Sequence, residues 1–498
     1  MITIVDYGMG NLGSILNMLK RIGTECCISS SAREILEADK LILPGVGHFD
    51  SAMRNLESLD LIGPLNEAVM EHGKPVLGIC LGQQLLTRGS EEGNLKGLGW
   101  IDAEARRFVA PEGKRLQVPH MGWNVVDVVN PSPLFDDTFP DSRFYFVHSF
   151  RVLCDRNENV MTTTDYAGTF HSGIIRDNIM GVQFHPEKSH QYGYRLLTNF
   201  AHWDHVSGTS SQVGGSLFSR TDIAKKPAVE VTSRPARTGQ RVPTRVIPTL
   251  LLKGQGLVKT IRFKDPKYVG DPRNAVKIFN EKEVDELAIL DIDATINGRG
   301  PDFELLGEII SEAFMPVAYG GGIRSLDQAR KLLAMGAEKI MLNSGAVELP
   351  ELVEQSSRQF GAQSVVVVID VRKGGLFSKG PNVCYRGGSK TIQESPVDFA
   401  RRMEGLGAGE ILVQSIDQEG TRKGFDLDLI RSITDAVDIP VIASGGADTV
   451  EDFGRAVNEA GASAVAAGSI FVFQGRHRAV LISYPKPDVL QRALNTES

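Results

Sequence analysis

Cysteine is scarce and poorly placed for bridging: five residues in 498, with no CxxC pair. An odd, scattered set of thiols fits a reducing compartment and excludes a disulfide-stapled scaffold. No His, Cys or carboxylate spacing suggests a metal site, and no cofactor is expected. Excess basic charge is also missing. A formal charge of −7 argues against nucleic acid or an anionic membrane surface as partner. Long apolar runs are absent too: none approaches the ~20 residues that cross a bilayer. The chain enters an apolar strand at Ile2 with no basic leader before it, so a cytoplasmic protein is expected.

At 498 residues the chain is too long for a single core. Hydrophobic periodicity stops between about Asp204 and Pro243, where Ser-Gly-Thr-Ser-Ser, Gly-Gly-Ser and Arg-Pro-Ala-Arg-Thr-Gly-Gln read as a flexible linker. This divides the chain into 1–204, a linker at 205–243, and 244–498. Before the linker, apolar strands at Ile2–Val5, Lys40–Leu43, Val76–Ile79 and Ile179–Phe184 alternate with helical stretches, an α/β sheet pattern. After it come eight short apolar runs: Val246–Leu252, Leu287–Asp293, Pro316–Gly320, Lys339–Asn343, Val365–Asp370, Glu410–Asp417, Pro440–Ser444 and Ala464–Gly468. Eight βα units predict a (β/α)8 TIM barrel.

The second half repeats itself. Gly320-Gly321 and Gly445-Gly446 lie 125 residues apart, as do Gly336-Ala337 and Gly461-Ala462, and Ser344 and Ser469. Such matches predict two half-barrels with equivalent sites on one face. Glycine-rich strand ends leave backbone N–H groups free to converge on an anion. Gly320, Gly321 and Gly322 with Asn343 and Ser344, and Gly445 and Gly446 with Gly468 and Ser469, are therefore candidate phosphate cradles. A small molecule phosphorylated at both ends would span them. The plainer reading, tight βα turns, does not explain the twofold recurrence.

In the first half, Val76-Leu-Gly-Ile-Cys80-Leu-Gly reads as a strand, a Gly-x-Cys-x-Gly turn and a helix, the thiol form of a nucleophile elbow. The glycines permit a bend that exposes the side chain, and the Leu81 amide faces a developing oxyanion. A lone cysteine is more often an inert core residue, but its flanking glycines argue otherwise. Gly181-Val-Gln-Phe-His185-Pro-Glu187 offers the base, with Pro186 setting Glu187 to face the imidazole.

Gly78-Ile-Cys80-Leu-Gly with Phe184-His185-Pro-Glu187 resembles the class I glutamine amidotransferases. Asp6-Tyr-Gly-Met-Gly-Asn11, Leu43-Pro-Gly-Val-Gly47 and Pro119-His-Met-Gly-Trp-Asn124 are similar to the glutaminase subunit of imidazole glycerol phosphate synthase, over residues 1–203. The resemblance implies glutamine as substrate, attack by Cys80, proton transfer by His185 and orientation by Glu187. It also implies an oxyanion hole from Leu81 and the Val46–Gly47 loop.

Residues 244–498 resemble the cyclase subunit of the same family, through Arg245-Val-Ile-Pro, Leu290-Asp-Ile-Asp, Val317-Ala-Tyr-Gly-Gly-Gly, Ser415-Ile-Asp417-Gln-Glu-Gly-Thr421 and Ile442-Ala-Ser-Gly-Gly446. That resemblance implies ammonia passing up the barrel axis, through a charged ring of Arg245, Glu286, Lys339 and Glu410. It further implies two acid–base aspartates, on strands one and five. Asp370 supplies the second, but Leu251 stands where the first belongs. A leucine cannot transfer a proton. The altered first strand is similar to a paralogous branch linked with acetamidino modification of surface-polysaccharide sugars, which implies a separate sugar-amidating enzyme as partner. Three readings of the barrel stay open: ammonia supply to such an enzyme, authentic cyclase–ligase of histidine biosynthesis, and a noncatalytic phosphate-ligand module that regulates the glutaminase.

Overall fold

A computed structural model describes residues 1–110, 116–136, 142–203, 244–374, 380–474 and 479–494. The expected linker, 205–243, lies outside the described residues. The first half is built on a ten-stranded sheet. Its parallel part runs Cys26–Ser29, Ile2–Val5, Lys40–Gly45, Val76–Cys80 and Ile179–Val182 in spatial order, and antiparallel strands Thr169–Arg176 and Val160–Asp165 extend it. Ile2–Val5, Lys40–Gly45, Val76–Cys80 and Ile179–Val182 are buried along their length, as parallel strands covered on both faces must be. The last of these stops short of Phe184, because the His185 N–H leaves the sheet to donate to Tyr145 O at 2.9 Å.

The second half is a closed barrel. Its eight strands are Arg245–Lys253, Leu287–Asp291, Val317–Gly320, Lys339–Leu342, Val365–Arg372, Glu410–Ser415, Val441–Ser444 and Ala464–Ala467, all paired in parallel. Closure comes from Arg245–Lys253, which pairs with both Leu287–Asp291 and Ala464–Ala467. Each of the eight expected runs coincides with one strand, with ends that differ by up to two residues. The second ends at Asp291 rather than Asp293, because Asp291 Oδ1 accepts from the Ala294 N–H at 3.0 Å and turns the chain.

Alternation along the strands sorts the side chains into two populations. Val365, Val367 and Ile369 face the surrounding helices, while Ile247, Met341, Val366, Val368, Leu412 and Ile442 fill the bore with small residues such as Ala288 and Ala318. The periodicity did not reveal the hairpin Gly256–Ile261 and Lys264–Gly270, which folds over the barrel's upper face. Among the described residues no helix is long and apolar enough to cross a membrane.

Candidate active sites

At the end of its strand, Cys80 adopts φ 55° and ψ −109°, so the cysteine itself takes the strained turn. The glycines serve another purpose. A Cβ on Gly82 would lie 1.8 Å from Leu43 O, and one on Gly78 would lie 2.8 Å from the Gly82 carbonyl, so they admit close packing of elbow against sheet. The expected exposure of the thiol is corrected: Cys80 is 5% exposed. It sits in a narrow cavity with Val46, Gly47, Leu81 and Val147.

Three residues past the strand Ile179–Val182, His185 Nδ1 meets Glu187 Oε1 at 2.8 Å, and both side chains are buried. The imidazole's other nitrogen, Nε2, is buried without a hydrogen-bond partner. Burial works against a charged imidazole, but the adjacent Cys80 and Glu187 outweigh it and hold His185 well above the usual histidine range. The structure thus brings Cys80, His185 and Glu187 into one buried cluster.

Sequence patterns did not single out two other residues lining this cavity, Glu92 and Gln363. Burial pushes the Glu92 carboxyl up to about 7, against the Phe49 N–H that donates to it at 2.8 Å. Gln363 comes from the barrel half, so the cavity lies where the two halves meet. Other contacts fix that junction. Lys188 pairs with Glu338 at 3.0 Å, Asn11 donates to the same carboxylate at 2.9 Å, and Trp123 Nε1 donates to Asp285 O at 3.0 Å.

The charged ring stands at this junction. Arg245 bonds Glu286 at 2.6 Å and also Glu410, while Lys339 bonds Glu286 and Glu410 at 2.9 Å. All four residues are buried, which rules out an ordinary solvated rim. Tyr145 faces them, and its hydroxyl is buried and unpartnered. Nothing local in the sequence marks that tyrosine.

At the other end of the bore opens a cavity of about 470 Å³, and all the candidate cradle residues line it together with Leu251 and Asp370. Gly322 and Gly446 have φ 68° and 113°, and a Cβ on either would strike a backbone carbonyl, Arg299 O at 2.5 Å or Gly424 O at 2.2 Å. The Asn343 side chain is engaged with the protein itself. Its amide nitrogen already donates to Val368 O at 3.1 Å and Cys384 O at 3.2 Å, so it props the turn that presents Ser344. Burial, then Glu419, pushes the Asp370 carboxyl up to about 8 despite Arg372. Lys253 is exposed at its strand end, and the buried cation here is Lys259, which donates to Thr249 O at 2.6 Å. Its ammonium lies against Gly468, where a Cβ would come within 2.0 Å. Burial pushes Lys259 down to about 8, although Glu419 opposes this.

Comparison with known proteins accounts for both halves. Residues 3–203 match the class-I glutamine amidotransferase family, and residues 245–478 match the histidine biosynthesis protein family. Imidazole glycerol phosphate synthase hisHF of Arabidopsis thaliana is 34% identical over 522 residues, which span 94% of this chain and 86% of that protein. The hisHF protein of Emericella nidulans is 30% identical, over 94% of each chain. The barrel half alone is 51% identical to a Pseudomonas aeruginosa protein, provisionally named imidazole glycerol phosphate synthase subunit hisF2, over 49% of this chain and 96% of that one. Joined in one chain, a glutamine amidotransferase half and a barrel half make this protein a member of the imidazole glycerol phosphate synthase family, in its fused form.

Proposed function

We propose that residues 1–203 hydrolyse glutamine with Cys80 as nucleophile, His185 as proton carrier and Glu187 as the group that orients His185. Cys80 Sγ attacks the amide carbon, and the amide oxygen takes up charge against the Leu81 N–H and the Val46–Gly47 peptide. His185 gives its proton to the departing nitrogen, which leaves as ammonia. Water then attacks the thioester, passes a proton to His185, and releases glutamate and the free thiol. The Glu187 contact on Nδ1 supports these roles, because it leaves Nε2 as the nitrogen free to exchange protons with Cys80. Glu92 is the one carboxylate among the residues lining the cavity and suits the α-ammonium of glutamine.

Ammonia then travels past the apolar cluster of Met121, Trp123, Tyr145 and Val147 to the ring of Arg245, Glu286, Lys339 and Glu410, which acts as a gate. The apolar bore above it admits neutral ammonia and excludes ammonium, whose desolvation is costly. In the upper cavity a doubly phosphorylated ligand places one phosphate at Gly321, Gly322 and Ser344. The other lies at Gly445, Gly446, Gly468 and Ser469, beside Lys259.

The ammonia serves a separate enzyme that amidates a surface-polysaccharide sugar, giving an acetamidino group. The observation that carries this reading is Leu251: the barrel keeps the gate and Asp370 but has an aliphatic side chain where the first-strand acid of a cyclase belongs. Counterparts of both halves in Pseudomonas aeruginosa bear the names hisF2 and HisH 2, which fits a second copy of the system. Deleting the gene is expected to remove acetamidino groups from the surface polysaccharide and to leave growth without histidine intact. Histidine auxotrophy of the deletion strain overturns the assignment.

A switching role for the barrel is favoured by one contact. Ser344, in the first cradle, opens the helix Ser344–Glu348, which leads into the helix Pro350–Phe360. The latter ends against Gly47: a Cβ there would meet Gln359 O at 3.1 Å and Met9 Cε at 2.6 Å. Ligand in the cradle therefore bears on the peptide that completes the oxyanion hole. Glutamine hydrolysis is expected to be slow without barrel ligand and faster with it. Gly47→Ala, strained at φ 117°, is expected to remove about 10²-fold of the stimulated rate. Stimulated glutamate release at the parental rate in that variant counts against the coupling.

A further inference from the structure

His148 lines the glutamine cavity and His120 lies behind it in an aromatic cluster, and neither belongs to the triad. They are 0% and 3% exposed. His120 is stacked between Tyr166 at 4.1 Å and Phe146 at 4.9 Å, while His148 packs against Phe108 at 5.2 Å and Phe170 at 5.3 Å. Burying two imidazoles among phenyl rings costs desolvation that two more phenyl rings would avoid. The hydrogen bonds show what the imidazoles do there.

His148 Nδ1 meets Phe150 O at 2.7 Å, and a carbonyl can only accept, so Nδ1 carries the proton. Burial pushes His148 down to about 3, with the charge of His185 adding to the effect and the Phe150 bond opposing it. The ring is therefore neutral and its Nε2 bare. That nitrogen accepts from His120 Nδ1 at 3.0 Å. His120 is held neutral by burial and then by His148, so its own Nε2 is bare and accepts from Asn124 Nδ2 at 3.3 Å. The same amide nitrogen donates to Asp165 O at 3.0 Å, and Asn124 Oδ1 accepts from the Val125 N–H at 2.8 Å. Each proton position is thus fixed from the carbonyl end.

The chain continues toward the thiol. Gln84 Nε2 donates to the same Phe150 O at 3.4 Å and to Gln183 Oε1 at 3.2 Å, and Gln183 Nε2 reaches Cys80 Sγ at 3.7 Å. Val147, His148, Ser149 and Phe150 line the cavity, and Val147 O is 3.9 Å from Cys80 Sγ. Around the pair, Arg151 lies over the Phe108 ring at 5.5 Å with its buried Nε unpartnered, the Tyr166 hydroxyl donates to Gln117 O, and His185 pairs with Glu187.

We propose that His120 and His148 are positioning residues of the glutaminase: the one-way chain from Asn124 through both rings to Phe150 O holds the Val147–Phe150 wall in register with Cys80. The proposal rests on the reading of Cys80 as the nucleophile. It predicts an effect on substrate fit rather than on the chemical step.

The test uses the full-length chain and follows glutamate release. His120→Phe keeps the stacking and removes the donor. Leaving the buried His148 Nε2 without a partner is expected to raise KM for glutamine about tenfold, with kcat within about twofold. His120→Asn places its amide nitrogen near the position of Nδ1 and is expected to recover most of that loss. An unchanged KM in His120→Phe overturns the proposal, as does an asparagine variant no better than the phenylalanine variant. Should His120→Phe fail to fold, His120→Asn decides alone: a parental KM supports the chain and a tenfold rise overturns it. Iodoacetamide keeps the two readings apart. If alkylated protein still hydrolyses glutamine, the nucleophile reading falls. If alkylation abolishes hydrolysis while His120→Phe is silent, only the positioning role falls.

Discussion

Cys80→Ala is expected to lower glutamine hydrolysis by at least ~10⁴-fold, the scale of removing a covalent nucleophile whose neighbours remain in place. No other thiol can take over. Among the free cysteines, Cys26, Cys27, Cys154 and Cys384 do not line the cavity that holds Cys80. The fold should tolerate the change, because alanine meets the same φ of 55° as the residue it replaces and the lost Sγ makes only long contacts, at 3.7 and 3.9 Å. A second readout follows from the electrostatics of His185. With Cys80 gone, burial is opposed by Glu187 alone, so the imidazole pKa should fall. Its ring resonances followed by NMR against pH would show that direction. Any ammonia-dependent chemistry in the barrel should persist, since the cradles and Asp370 share no side chain with the cavity around Cys80. Glutamate release at the parental rate from purified Cys80→Ala protein would sink the triad assignment.

What was legible in the sequence depended on backbone geometry. Gly78 and Gly82 advertise a contact that no side chain survives, and a Cβ 1.8 Å from a carbonyl explains why glycine stands there. The doubled Gly-Gly pairs announce two turns that a twofold barrel repeats, and all eight strands carry apolar runs that periodicity can find. Residues whose importance comes from what other segments bring to them left no such mark. Tyr145 is one aromatic in an apolar strand until the barrel sets four charges before it. Gln363 is an ordinary polar residue of a short turn, yet it lines a cavity in the other half. Lys259 sits in a strand where a lysine would normally face water, and only the hairpin's fold turns it inward. Asn343 shows the converse. Its place beside Ser344 marks it as a cradle residue, but does not reveal that its amide nitrogen donates to Val368 O and Cys384 O and its Oδ1 accepts from the Ser344 hydroxyl.

Supplied with the doubly phosphorylated ribulosyl imidazole-carboxamide intermediate and ammonium salt, the protein is expected to form imidazole glycerol phosphate about 10²- to 10⁴-fold more slowly than a working cyclase, the usual penalty for a missing acid–base group. Cyclisation needs one group to give a proton and another to take one. Asp370 is suited to giving, since burial pushes it up to about 8 and keeps it protonated at neutral pH. On the first strand Leu251 lines the cavity and can do neither. The nearest stand-in is Lys259, bonded to Thr249 O two residues away along that strand and pushed down to about 8. Free lysine would become available as a base only as pH rises through that value, which is where Asp370 loses the proton it must donate. Any residual turnover should therefore peak near pH 8 and remain small. A ligand phosphate beside Gly468 would stabilise the ammonium and weaken the base further. Leu251→Asp restores the missing group opposite Asp370 and is expected to recover a trace of turnover. Following loss of the intermediate's absorbance with ammonium as nitrogen donor bypasses the glutaminase, so the result bears on the barrel alone. Turnover of about 1 s⁻¹ or more, within the ordinary enzyme range, would show that a cyclase can work with leucine at 251 and would return this chain to histidine biosynthesis.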